Sequence, residues 1–109
     1  MEIADTPQKA RIGLSNRTEL NQDAGMLFLA DYPRDIQMWM KDTLIPLDML
    51  FFDEKGQIVY IHTAQPLDLT PVGADQAILG VVELFGGTCE KLNIKEGDFL
   101  RFVEPLEEK

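Results

Sequence analysis

Cysteine, histidine and tryptophan each occur once in this chain of 109 residues, at Cys89, His62 and Trp39. A lone cysteine closes no internal disulfide, and without a Cys or His neighbour at ligand spacing it seeds no zinc site, so neither a metal nor a cofactor is expected. Cys89 reads as an inert, half-buried thiol that says little about compartment. Basic residues are also scarce. The 10 Lys and Arg stand against 19 Asp and Glu, and the formal charge of −9 repels phosphate backbones and anionic lipid alike. Nucleic acid is therefore not an expected partner. No run approaches the ~20 apolar residues that a membrane-spanning helix needs. Met1 to Lys9 lack the basic segment and apolar core of a signal peptide, and no internal repeat or low-complexity stretch occurs.

What is present is an ordinary globular composition, 45% hydrophobic, at a length that builds one core without disulfides or metals. Residues 1–105 are expected to form a single domain, with the charged residues 106–109 as a tail. Turn signals divide the chain. Glu2 to Asp5 suggests a short strand, and Thr6-Pro7, a capping residue followed by proline, predicts a short helix ending near Gly13. Polar Asn16 to Asp23 is a loop before a strand at Met26 to Leu29; a second loop at Asp31 to Arg34 precedes a strand at Ile36 to Lys41. Leu47 to Phe52 and Gln57 to His62, joined by Asp53-Glu54-Lys55-Gly56, form the clearest pair, an antiparallel hairpin with Gly56 supplying a positive φ. Ala77 to Leu84 is apolar on both faces and so central, with Gly80 marking a bulge or close approach. Thr88 caps a short helix through Leu92, and Phe99 to Val103 is the last strand. The expected fold is mainly β, a single compact antiparallel barrel or sandwich with two short helices.

The chemistry centres on two acids in apolar strands. Asp48 shares a face with Leu50 and Phe52, while Glu83 shares one with Leu79 and Val81. An unpaired buried charge costs several kcal/mol, so each carboxylate needs a partner or a solvated strand end. One reading has them accept backbone or hydroxyl hydrogen bonds, with Lys41 as the pairing cation. The other makes them the polar groups of a pocket beside Trp39, or a general acid and base, although no nucleophile stands next to a base. Met38 and Met40 share a face, and thioethers bind Cu(I), with His62 the one available imidazole; methionine is also a common filler of cores, and core packing is the expectation here. Gly86-Gly87-Thr88 reads as a turn and cap, since it has no lysine to make it a phosphate loop.

Several runs together carry a family resemblance: Gly25-Met26-Leu27-Phe28, Trp39-Met40-Lys41-Asp42-Thr43-Leu44-Ile45-Pro46-Leu47-Asp48, Val82-Glu83-Leu84 with Gly87, and Ile94-Lys95-Glu96-Gly97-Asp98. The chain resembles the DUF192 family of uncharacterised small bacterial and archaeal proteins. The resemblance covers nearly the whole chain; its most specific part is the Trp-Met-Lys-x-Thr-x-x-Pro-Leu-Asp run. It implies a compact, mainly β fold and no established activity. Export signals in many members imply an extracytoplasmic protein, periplasmic or secreted. The family pattern has Asn where this chain has Asp42, and an ionised Asp accepts but does not donate. The expected function is a small extracytoplasmic domain that binds a small molecule or a protein, with a pocket near Trp39, Lys41, Asp42, Thr43, Asp48 and Glu83. The alternative is a small hydrolase or isomerase with Asp48 and Glu83 as its acid and base.

Overall fold

Two strands that are apolar on both faces need a layer packed on each side, and they lie side by side in the middle of the sheet. The structure, a computed structural model, describes the backbone of residues 7–8, 10–14 and 25–105 and the side chains of residues 25–100. Its strands are β1 (Pro7–Gln8), β2 (Ala10–Leu14), β3 (Gly25–Arg34), β4 (Leu47–Phe52), β5 (Ile58–Ala64), β6 (Ile78–Phe85) and β7 (Leu100–Pro105), with one helix, α1 (Thr88–Leu92), between β6 and β7. A five-stranded sheet runs in the order β1-β3-β6-β4-β5, antiparallel throughout, and β2 pairs with β7 in a separate two-stranded sheet. The β4–β5 turn is held by Asp53, whose Oδ1 accepts from the N–H groups of Lys55 and Gln57 at 2.9 and 3.0 Å, while Gly56 takes φ 84°.

Alternation along the central strands divides the core in two. Leu50, Phe52, Val82 and Leu84 face α1, where Cys89, Ile94 and Leu100 cover them. Met49, Phe51 and Val81 face the other way, under Ile36, Met38 and Met40. That second cover is an extended segment tied to the chain ahead of β6: Met38 and Val72 exchange backbone hydrogen bonds at 2.8 and 2.7 Å, and the Met40 N–H donates to the Asp68 carbonyl at 3.0 Å.

The mainly β, antiparallel character is as the sequence suggests, but three expectations are corrected. The large sheet is open, with β1 and β5 at its edges, so it is not a barrel. One short helix is present among the described residues instead of two. Where Thr6-Pro7 predicts a helix, Pro7 and Gln8 pair with Phe28 and Leu27, and Ala10 to Leu14 pair with β7; cross-strand partners override a local capping signal. Ile36 to Lys41 has the alternating burial of a strand, yet only Met38 finds a ladder partner. The expected loop at Asp31 to Arg34 belongs to β3, and the strand and loop expected at residues 2–5 and 16–23, like the tail, lie outside the described residues. Among the described residues no helix is long and apolar enough to cross a membrane.

Candidate functional site

Asp48 is 1% exposed and is satisfied by three donors. The Thr63 hydroxyl donates to Oδ1 at 2.7 Å, and the backbone N–H groups of Gly87 and Cys89 donate to Oδ2 at 3.2 and 2.9 Å. Gly87, the N-cap of α1, has no side chain with which to cap the helix, and the Thr88 hydroxyl turns back to the Phe85 carbonyl at 2.6 Å. Asp48 therefore acts as the missing cap from a neighbouring strand, placing a carboxylate at the positive end of the helix. Burial, the Asp48 charge and a hydrogen bond to that carboxylate push the Cys89 thiol up to about 12, so it stays protonated at neutral pH and is a poor nucleophile.

Glu83 has the opposite surroundings. Strand register sets Met26, Glu83, Met49 and His62 in one row across β3, β6, β4 and β5, on the face away from α1. The loop after Met40 hangs over this row and is held by three backbone bonds: Thr43 N–H to Met40 O at 3.0 Å, Leu67 N–H to Thr43 O at 2.9 Å and Gly86 N–H to Pro46 O at 2.9 Å. Gly86 is required here, since a Cβ on it would lie 2.8 Å from the Pro46 ring. Between loop and sheet is a cleft of about 480 Å³ lined by Gly25, Met26, Thr43, Ile45, Leu47, Glu83, Leu84 and Phe85. Glu83 is its only ionisable lining group among the described residues. It is half-buried, no hydrogen bond or ion pair reaches it from the described residues, and burial alone pushes its carboxyl up to about 7. An apolar cleft with one unpartnered polar group is the usual composition of a small-ligand site, and a perturbed carboxyl in a cleft marks a functional candidate.

Of the residues singled out from the sequence, the cleft brings together Thr43 and Glu83. Asp48 lies on the opposite face of the sheet, in register with Leu84 while Glu83 is in register with Met49. The two carboxyls do not converge. Lys41 and Asp42 stand on an exposed turn and pair with each other at 3.8 Å, so Lys41 is not the partner of either strand acid. Asp42 has φ 60°, a left-handed conformation that Asn adopts more readily than Asp, which gives a backbone reason for the amide in the family pattern. Trp39, 37% exposed, points away from the core and does not line the cleft, whereas Met38 and Met40 are packed inside. Among the described residues no three His, Cys, Asp or Glu side chains gather as a metal would require. The sequence reading misses Met26, Ile45, Leu47 and Phe85 as lining residues; Phe85 was legible, two positions after Glu83 on the same strand face, but Met26 depends on cross-strand register.

A small, open antiparallel domain with one acid in an apolar cleft defines the structural class. The chain belongs to the DUF192 family, "Uncharacterized ACR", whose profile matches residues 1–102. It is similar to a solved protein of unknown function from Novosphingobium aromaticivorans DSM 12444, at 40% identity and a TM-score of 0.69; the match covers 78% of this chain and 61% of that one, less than two thirds of the relative's length. It is also similar to a "putative transcription regulator" from Sinorhizobium meliloti 1021, at 27% identity and a TM-score of 0.75, covering 94% of this chain and 98% of that one. Among curated proteins nothing matches the chain.

Proposed function

We propose that this protein is a small binding domain whose ligand sits in the cleft over Glu83, against the walls formed by Met26, Ile45, Leu47 and Phe85. One observation carries the reading: a half-buried carboxyl without a partner among the described residues opens into an apolar space of about 480 Å³, within the range of roughly 300–1,000 Å³ usual for small-ligand sites. Asp48 belongs to the scaffold that holds α1 on the sheet. A hydrolase or isomerase working through Asp48 and Glu83 as a pair gains no support, because the sheet separates them. The regulator name of the Sinorhizobium neighbour is not carried over as direct DNA contact, in keeping with a charge of −9. Placement outside the cytoplasm rests on the family resemblance and is tested by fractionating cells that express the full-length gene.

Titration of isotope-labelled protein with small uncharged compounds such as benzyl alcohol and cyclohexanol, followed by amide NMR, tests the site. Saturable shifts confined to Gly25, Met26, Thr43 and the Glu83 to Phe85 strand end are expected, weakened in Phe85→Ser. Saturable shifts centred elsewhere would refute the assignment.

A further inference from the structure

Glu83 also constrains the charge of what the cleft accepts. Each neighbour facing it from a described element is uncharged: Met26 on β3, Met49 on β4, and Thr43 and Ile45 on the overhanging loop. Lys41, the cation nearest in sequence on that loop, stands on the exposed turn in its pair with Asp42. Among the described residues no Lys or Arg lines the cleft, so an anionic ligand would meet the Glu83 carboxylate with no lining cation from them to offset the repulsion, and a neutral ligand would leave the ionised carboxylate uncompensated. A ligand bearing an N–H cation would supply both the donors and the charge that the fold withholds, and charge-assisted hydrogen bonds of this kind are the strong ones. The Thr43 hydroxyl donates to the Lys41 carbonyl at 3.3 Å, which leaves its lone pairs to accept a further N–H. The net charge of −9 adds a long-range field that draws cations toward the molecule.

We propose that the cleft is a recognition site for an ammonium group carried on an apolar body, with Glu83 as its counter-ion, Thr43 as a second acceptor and Met26, Ile45 and Phe85 around the apolar part. This rests on the binding reading above and adds the charge class of the ligand. A free aralkyl amine and a lysine side chain present the same chemistry, and the test separates them.

The probes are benzylamine, benzyl alcohol, phenylacetate and Nα-acetyl-lysine N-methylamide, titrated at pH 8 and low salt into labelled protein, with Met26, Thr43, Glu83 and Phe85 as reporters. Benzylamine is expected to bind about tenfold or more tightly than benzyl alcohol, with phenylacetate weakest. In Glu83→Gln, which keeps the shape, the preference for the amine over the alcohol should disappear. Should that variant not fold, the wild-type protein suffices: the Glu83 side-chain carbon signal should titrate at lower pH when benzylamine saturates the cleft, as an adjacent ammonium favours the carboxylate. Tighter binding of benzylamine than of the lysine amide assigns the site to free amines, and the reverse assigns it to lysine side chains; either supports the proposal. Equal binding of benzyl alcohol and benzylamine, or an unmoved Glu83 titration, would overturn it while leaving the binding function standing. Silence from all four probes would remove both.

Discussion

Asp48 and Glu83 sit one register position apart on adjacent strands and illustrate how a one-residue difference in strand phase decides what a carboxyl does. Asp48 faces α1, where two backbone N–H groups and the Thr63 hydroxyl converge on it. Glu83 faces a cleft and has none of these. Replacing Asp48 with Asn leaves one acceptor oxygen and turns an NH₂ donor toward donors. The expected cost is about 1 to 3 kcal/mol, measurable as a lower urea midpoint near neutral pH. Thr63→Val should reproduce part of that loss, and its effect should shrink when combined with Asp48→Asn because the two share one bond. An Asp48→Asn protein as stable as the parent would show that the three donors find other acceptors. The same alternation separates Trp39 from its neighbours: Met40 is 1% exposed and Trp39 37% exposed. Met40→Ala is expected to cost about 2 to 5 kcal/mol, as a cavity-forming core change does. Trp39→Ala should cost less, about 1 to 2 kcal/mol, because only part of the ring area leaves water on folding. Urea midpoints in the reverse order would place Trp39 in the core after all.

At the scale of elements, β6 is the strand on which both faces depend, and at Gly80 it approaches its neighbours closely. A Cβ there would lie 2.5 Å from the Phe28 carbonyl oxygen and 2.7 Å from the Phe52 ring. Next to it, the pairing with β3 jumps from Leu29 opposite Gly80 to Arg34 opposite Ile78, a break in register that leaves extra residues on β3. Gly80→Ala should therefore cost at least about 1 to 3 kcal/mol through overpacking, seen as a lower melting temperature. Gly87→Ala, at φ 95° with nothing within 4 Å of the added Cβ, should cost about 1 kcal/mol from backbone strain alone. The bulge or close approach at Gly80, the β4–β5 hairpin, the central place of β6 and the helix at Thr88 were all legible in the sequence, because each depends on local signals: alternation, a glycine, a turn. The start of the chain was misread for the complementary reason. Thr6-Pro7 is a sound helix signal, and it is overruled by β3, whose partner residues lie some twenty positions further along. Ile36 to Lys41 is an intermediate case. Its period of two is correct, with Ile36, Met38 and Met40 buried, but alternation reports which side chains turn inward and does not report whether a neighbouring strand is there to pair. The cleft needed both kinds of information. Glu83 is conspicuous in an apolar strand, while its isolation from Asp48 and Lys41 follows from register and from the course of the overhanging loop.

For the molecule as a whole, the isolation of Glu83 has a consequence in the pH dependence of folding. Burial raises the Glu83 carboxyl from its ordinary 4.5 to about 7 in the folded protein. Between those two values the folded state holds a proton that the unfolded state has released, so unfolding loses a proton and stability falls as pH rises. Below about pH 4.5 both states are protonated and Glu83 makes no difference. Above about pH 7 both are ionised, and the folded state carries the full penalty of a desolvated carboxylate, about 3 kcal/mol from that change in proton affinity. Other groups titrate in the same range, and the self-repulsion of a chain with charge −9 also changes with pH, so the wild-type curve alone does not isolate Glu83. The difference between wild type and Glu83→Gln does to first order, because every other ionisable group is common to both. The two proteins are expected to have similar unfolding free energies near pH 4, to diverge between about pH 4.5 and 7, and to differ by about 3 kcal/mol at pH 8, with Glu83→Gln the more stable. Urea unfolding at closely spaced pH values from 4 to 8 measures this directly. A difference that stays constant across the range would mean that Glu83 titrates alike in the folded and unfolded chains, and a wild type that gains on the variant as pH rises would mean that its carboxylate has a partner after all. The observed sign thus decides whether the charge in the cleft is left for a ligand to complete.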